Sequence, residues 1–233
     1  AQGWIGANIA ADGSVLGGSS SLPPHVTITK TALGTYRING LPTTGNMVTM
    51  AAAAATDNYT SISTSGDDWI VNVRDNNQSA EDGNFAILYI PDTTKRVFSG
   101  HIGNLGEFTS LNEDASIAGV STKLTPQGYE LTFGDGTLVN PSNTALFVCA
   151  IGDTGNNGVD NAYSYSALGN SFVVFSHDLP GLNGVLQNGG FRFLAVPLNP
   201  VAPVANEVTL SVSDAVASED GTDANLAYTF YRR

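Results

Sequence analysis

The sequence predicts an all-β protein: two tandem β-sandwich modules, Ig-like or jelly-roll-like, followed by a C-terminal tail that forms strands. The first supporting observation is that apolar residues alternate with polar ones, or occur in short runs bounded by Gly, Asn, Asp and Pro. The second is an internal repeat that spans most of the chain. The third is composition, because 26 of the 233 residues are Gly and 42% are hydrophobic, which allows many turns around a packed core.

The predicted strands follow one another at short intervals. Residues 25–29 alternate apolar and polar side chains, residues 36–38 follow a turn at Gly34, and residues 47–51 form a run of the buried type. Further predicted strands lie at 69–73, 85–90, 129–133, 145–151, 172–175, 191–196, 208–212 and 226–231. Short strands joined by polar turns are typical of a sandwich.

The internal repeat rests on matched segments that keep one order along the chain. Residues 69–75 align without a gap on residues 172–178, and both begin with an aromatic residue and end in Asp. The other matched pairs are 3–6 with 100–103, 34–38 with 128–131, 47–51 with 146–150, and 83–91 with 190–197. The spacing grows from about 97 to about 106 residues, as insertions in polar loops would allow.

The repeat divides the chain into module 1 at residues 1–97, module 2 at residues 98–198 and a tail at residues 199–233. A Pro-rich joint at 197–203 precedes the tail, which carries two strand-like runs around an acidic turn. The tail is too short for a third module. It is therefore expected either to complete a sheet of module 2 or to be lent to a neighbouring molecule.

The matched segments resemble a β-rich module of secreted and cell-surface or appendage proteins of bacteria. The resemblance covers residues 1–198 and is carried mainly by 172–180, Gln187, Asn188 and 191–197. It implies an extracellular location and a structural or adhesive role. It implies no catalytic residues.

Charge narrows the function classes. Only 13% of residues are charged, and 21 Asp and Glu against 9 Lys and Arg give a net charge of −12. A nucleic-acid-binding protein needs a basic surface, and an anionic membrane would repel this chain, so neither partner is expected. No apolar run has the length of a membrane helix, so membrane insertion is not expected. The start at Ala1, without an initiator Met, is interpreted as a mature N-terminus left by signal-peptide removal.

The sequence offers no catalytic constellation, so a non-enzymatic protein without a resident cofactor is predicted. His101 and His177 occupy the positions that hold Trp4 and Arg74 in the other repeat, which makes them poor candidates for a general base. Cys149 matches an apolar position and is expected to be buried rather than reactive.

Calcium is the one cofactor for which residues can be named. Asp153, Asn156, Asn157 and Asp160 place carboxylate and amide oxygens at close spacing on one loop, as a hard cation requires. Their spacing does not fit an EF-hand, and Asp/Asn/Gly clusters also form ordinary turns. Both interpretations stay open.

Two further kinds of surface site are predicted. Tyr163 and Tyr165 alternate with Ser164, which places both rings on one face of a strand as a glycan platform or a subunit contact. Asn58 and Asn77 fit the Asn-x-Ser/Thr pattern of glycosylation acceptors.

The favoured function is a non-enzymatic extracellular structural protein, a subunit of a surface assembly or filament. Copies of the chain would be joined by β-strand sharing, in which a sheet edge accepts an extended segment from a neighbour. The predicted contact residues come from both ends of the chain: Trp4, Ile5, Ile9, Leu226, Tyr228 and Phe230. The alternative is a monomeric adhesin or carbohydrate-binding module.

Overall fold

The computed structural model describes residues 3–17, 21–51, 57–112, 119–126, 128–134, 139–152, 161–179 and 187–198, and the backbone of 209–212 and 228–231. These residues form strands, turns and loops with no helix, and the all-β prediction is confirmed. Several open sheets are present, in agreement with β-sandwich modules. Within the same ranges, no helix is long and apolar enough to span a membrane.

Seventeen strands occur in the described part of the chain. In order they are β1 Ile5–Ile9, β2 Thr27–Ala32, β3 Thr35–Asn39, β4 Asn46–Ala51, β5 Tyr59–Ser65, β6 Asp68–Arg74, β7 Phe85–Ile90, β8 Phe98–Ile102, β9 Phe108–Leu111, β10 Val120–Thr125, β11 Gly128–Phe133, β12 Thr144–Ile151, β13 Asn161–Leu168, β14 Ser171–Asp178, β15 Phe191–Pro197, β16 Thr209–Val212 and β17 Tyr228–Tyr231.

The strand order contains the same pattern twice. A three-stranded sheet has the order β1-β7-β4, and a four-stranded sheet has the order β10-β11-β14-β13. An eight-stranded sheet has the order β2-β3-β6-β5-β12-β15-β8-β9. The order β1-β7-β4 therefore recurs as β8-β15-β12, and β2-β3-β6-β5 recurs as β10-β11-β14-β13. This is the arrangement that two copies of one module would give.

A parallel pairing joins the two halves of the long sheet. Ala150 and Ile151 of β12 pair with Ser61 and Ile62 of β5, whereas the other strand pairs in the named sheets are antiparallel. Ser61 is fully buried at this joint. The sheet is thus continuous from β2 to β9, with one face of each half covered by a separate smaller sheet.

The buried side chains form two clusters. The first lies around Tyr36, Trp69 and Phe85, and the second lies around Tyr129 and Phe191. Cys149 and Leu194, on β12 and β15, belong to the first cluster although they come late in the chain. The outer face of the second half of the long sheet therefore contributes to the core of the first half.

A hydrogen bond from a tyrosine hydroxyl to a backbone carbonyl recurs in both cores. The Tyr36 hydroxyl donates to the Ala11 carbonyl at 2.9 Å, and the Tyr129 hydroxyl donates to the Asn104 carbonyl at 3.0 Å. Each bond ties a buried strand to the loop that follows β1 or β8, because a buried hydroxyl needs a partner. Each tyrosine ring also contacts a phenylalanine on the other sheet of the same core: Tyr36 contacts Phe85, and Tyr129 contacts Phe191.

The chain divides into two compact units, Ala1–Leu198 and Asn199–Arg233. The second contains the antiparallel pair β16 and β17, in which Thr209 pairs with Tyr231 and Val212 pairs with Tyr228. The module boundary at residues 97 and 98 stays a prediction from the sequence.

Candidate functional site

An uncharged trough runs along β12 in the described part of the first unit. Its larger part is a groove of about 470 Å³, and an adjoining recess of about 250 Å³ shares Thr49, Met50, Val148 and Tyr163 with it. None of the described lining residues carries a charge. They are residues 48–50, 86–88, 146–148 and 163–165 in the groove, and 49–51, 58–60, 148–150 and 161–163 in the recess. We call the two together the β12 trough.

Strands from three different sheets build the β12 trough. Val48, Leu146 and Tyr165 line the groove, whereas Ala51, Ala150 and Asn161 line the recess. From the groove to the recess, residue numbers rise along β4 and β12 and fall along β13. The strands β4 and β12 therefore run in the same direction along the trough, and β13 runs in the opposite direction. Both β4 and β13 are edge strands of their sheets, and β12 lies between them as the floor. The trough is therefore a slot bounded by two sheet edges.

Large apolar side chains in the β12 trough are open to solvent. Met50 is 63% exposed, Tyr165 is 46% exposed and Phe147 is 38% exposed. On β12 the exposed Phe147 follows the buried Leu146, as alternation along a strand predicts, whereas on β13 the neighbours of Tyr165 are exposed as well. Full burial of an exposed side chain of this size is worth about 1.5–3 kcal/mol, and each of these residues has roughly half of that still to gain.

The β13 edge lacks the usual protection against strand addition. Its eight residues, Asn161–Leu168, include no charge and no proline, and residues 164–168 are all exposed. Of the other edge strands, β2 holds Lys30, β10 holds Lys123 and β9 has only four residues, whereas β4, on the other side of the trough, holds neither charge nor proline. Charged residues and short length are the devices by which proteins block edge pairing. Both β4 and β13 lack them, and β13 is the more exposed of the two.

A loop of the same chain covers the outer edge of β1. Ile9 forms a bridge with Val15, the Leu16 amide donates to the Asn8 carbonyl at 2.8 Å, and the Ser21 amide donates to the Gly6 carbonyl at 2.9 Å. The edge of β1 is thus closed by local backbone bonds, in contrast to the edge of β13.

Tyr163 and Tyr165 both contact the second core. The Tyr163 hydroxyl donates to the Gly190 carbonyl at 2.7 Å, and its ring lies 5.7 Å from that of Phe191. Burial raises the pKa of Tyr163, which keeps the hydroxyl protonated as a donor. The Tyr165 ring lies 5.8 Å from that of Phe172 and remains half exposed. Of the two predicted platform residues, Tyr165 is the one that offers an accessible ring.

A buried arginine fixes the strands next to the trough floor. Arg192 donates to Asn46 Oδ1 at 3.0 Å, and its guanidinium lies 4.7 Å from the centre of the Trp69 ring. Burial, followed by the Arg192 charge, lowers the pKa of His101 to about 4. Burial raises the pKa of Cys149, on the floor of the recess, to about 11. The thiol is therefore protonated at neutral pH and acts as a packing group.

Of the two predicted glycosylation acceptors, Asn58 lies at the β12 trough and Asn77 lies apart from it. Asp153, Asn156, Asn157 and Asp160 fall outside the described residues, and the described residues contain no group of three or more His, Cys, Asp or Glu side chains placed to hold a metal. Asn77 is exposed in a turn, where its amide donates to Asp75 Oδ1 at 2.9 Å. Asn58 lines the recess and is half-buried.

The predicted contact residues of the two termini have different surroundings. Trp4 is 42% exposed, whereas Ile5 and Ile9 are buried in the first core, on a strand paired with β7. Leu226 lies outside the described residues, and Tyr228 and Phe230 belong to β17. Sharing β1 with a neighbour would thus require pulling two core residues out of this chain.

Sequence reasoning did not single out Met50, Leu88 or Phe147 as site residues. Their run of apolar neighbours predicted strands but could not tell an exposed face from a buried one. Comparison with protein-family models, curated proteins and solved structures found no match for this chain. The resemblance to a bacterial surface module therefore stays a prediction from the sequence.

Proposed function

We propose that this protein is a non-enzymatic extracellular structural protein whose copies assemble by β-strand sharing at the β12 trough. The observation that carries the proposal is the open β13 edge beside an uncharged slot with exposed Met50, Phe147 and Tyr165. An edge strand offers unpaired backbone groups, and the apolar floor adds the burial that backbone hydrogen bonds alone do not supply.

Composition supports the same role. Because only 13% of the residues are charged, copies can approach through broad polar and apolar surfaces at little desolvation cost. Extracellular location rests on the resemblance of residues 1–198 to secreted surface modules and on the acidic, Lys-poor composition.

The test compares assembly of the full chain with that of a trough variant. Light scattering after size-exclusion chromatography and negative-stain electron microscopy are run over a concentration series. Met50→Lys puts a charge into the slot at a residue that is already 63% exposed, so the fold should tolerate it. Leu105→Lys, at a residue 74% exposed outside the slot, is the matched control.

The wild-type chain and Leu105→Lys should form polymers, whereas Met50→Lys should raise the concentration needed for assembly about tenfold or more, equivalent to about 1.4 kcal/mol or more per contact. A wild-type chain that stays monomeric at every concentration would contradict the proposal. So would equal assembly of Met50→Lys and the control.

A second candidate function is a monomeric adhesin or carbohydrate-binding module. The exposed rings of Tyr165 and Phe147 favour it, since sugar rings stack on accessible aromatic side chains. A glycan array probed with the monomer should then give hits that Tyr165→Ala abolishes. An array without hits, together with polymers in the microscope, would decide for assembly.

A further inference from the structure

The proposed assembly leaves open which segment enters the β12 trough, and the tail supplies one of suitable chemistry. The unit Asn199–Arg233 contains the two-stranded sheet β16 and β17. An isolated two-stranded sheet is marginal in water and needs a further surface to be stable. In the first unit, β13 is a sheet edge with an exposed run at residues 164–168, and Met50, Phe147 and Tyr165 of the adjacent trough are exposed.

The two tail strands differ in charge from the segment that connects them. Thr209–Val212 and Tyr228–Tyr231 contain no charged residue, whereas the segment between them, 213–227, contains four acidic residues and no basic one. An uncharged slot accepts an uncharged strand, because a charge buried there would lack a partner. The tail strands therefore match the slot, and the acidic segment between them does not.

The last two residues favour β17 over β16. Arg232 and Arg233 follow β17 directly and are two of only nine basic residues in the chain. A strand added antiparallel to β13 continues the antiparallel four-stranded sheet, and its C-terminal end points toward the Asn161 end of β13. Asn161 pairs with Asp178 of β14, so the two arginines of the guest would meet an acidic residue of the host.

We propose that β17 of one copy adds to the β13 edge of the next copy, antiparallel to β13, with its apolar side chains in the β12 trough. The ten residues 199–208 can span at most about 35 Å, enough to reach a neighbour. The contact joins different surfaces of the two copies, and repetition of such a head-to-tail contact gives a ring if the rotation closes and a filament if it does not. This inference rests on the proposed function and names its partner.

The experiment disables the donated strand β17 and the accepting β12 trough one at a time, in the full chain. Thr229→Pro removes a backbone donor from β17, and Thr229→Val is the matched control that keeps the amide and the β-branched shape. Met50→Lys disables the acceptor. At a concentration where the wild type assembles and Met50→Lys does not, Thr229→Pro and Met50→Lys should each be monomeric alone. Mixing them should give a one-to-one dimer that grows no further, because each copy then supplies the part that the other lacks.

The outcomes distinguish the proposed assembly at the β12 trough from the further inference that β17 is the segment bound there. If Met50→Lys blocks assembly but Thr229→Pro assembles like Thr229→Val, the trough is an interface whose occupant is another segment, and the inference is overturned. If Thr229→Pro assembles more readily than the wild type, the tail fills the trough of its own copy, which also overturns it. A monomeric wild-type chain overturns the proposed function itself.

A charge reversal tests the orientation of the added strand. Arg232→Glu with Arg233→Glu should raise the concentration needed for assembly a few-fold, and Asp178→Lys in the same chain should restore it in part. Unchanged assembly of the double variant would overturn the antiparallel register.

Discussion

A glycine in the first hairpin offers a sharp test of the packing described above. Gly34 has φ +62°, and a Cβ added there would lie 2.4 Å from the Val73 carbonyl oxygen and 2.9 Å from the Glu81 amide nitrogen. The left-handed conformation alone costs Ala about 1 kcal/mol. The clash with backbone adds about 1–3 kcal/mol, because β6 must shift by about 1 Å to relieve it. We expect Gly34→Ala to lower the free energy of unfolding by about 2–4 kcal/mol.

The control is a glycine with the same backbone and open surroundings. Gly66 has φ +63°, and a Cβ there would meet nothing within 4 Å, so Gly66→Ala should lose only about 1 kcal/mol. In the second half, a Cβ at Gly128 (φ +147°) would lie 2.3 Å from the Val174 carbonyl oxygen, whereas one at Gly169 (φ +58°) would meet nothing within 4 Å.

Urea unfolding, followed by tryptophan fluorescence at a concentration where the chain is monomeric, measures these losses. Trp69 is fully buried and reports on the first core. By thermal unfolding, the extra loss of Gly34→Ala over Gly66→Ala corresponds to roughly 2–12 °C in Tm. If the two variants differ by less than about 0.5 kcal/mol, the close approach of the hairpin to β6 is refuted.

Further predictions concern polar and ionisable groups. Tyr36→Phe and Tyr129→Phe should each cost about 1 kcal/mol in urea unfolding, because each leaves a carbonyl without its buried donor; no loss in either would contradict the recurring bond. The pKa of His101 is lowered to about 4 by burial and a nearby arginine charge, so the unfolded chain binds the proton first as pH falls. The contribution of His101 to the free energy of unfolding is therefore full above pH 6.5, and it should fall by at most about 3 kcal/mol between pH 6.5 and 4. His101→Asn should flatten this fall, and an equal dependence of the free energy of unfolding on pH in both proteins would refute the lowered pKa. Cys149 is buried with its pKa raised to about 11, so a thiol reagent at pH 8 should label it only after unfolding, and rapid labelling of the folded chain would argue against that burial. If the loop 153–160 binds calcium, a chelator should lower Tm and added calcium should restore it, whereas an unchanged Tm would favour the plain turn.

Apolar strands could be predicted closely, and polar ones could not. The predicted strand at 85–90 coincides with β7, and those at 69–73 and 145–151 differ from β6 and β12 by one residue at one or both ends. β5 was not predicted, because its sequence Tyr-Thr-Ser-Ile-Ser-Thr-Ser has the composition of a turn. It is nevertheless central, since it pairs with both β6 and β12 and buries Ser61.

The candidate site could be predicted only in part for the same reason. Tyr163 and Tyr165 were found from their alternation, which is a property of one strand. Met50 and Phe147 look like core residues in the sequence, where apolar runs normally signal burial. Their exposure depends on the distance between β4, β12 and β13, which come from three sheets.

The sequence by itself determined the all-β class and the position of most apolar strands, because alternation and turn residues act over a few neighbouring positions. It also determined the scarcity of charge, on which the proposed association of copies relies. Only the tertiary structure decided that β5 and β12 join the halves into one sheet and that β13 is left as an open edge beside a slot. These features depend on which strands remain unpaired after the others have paired, and no local pattern in the chain records that outcome.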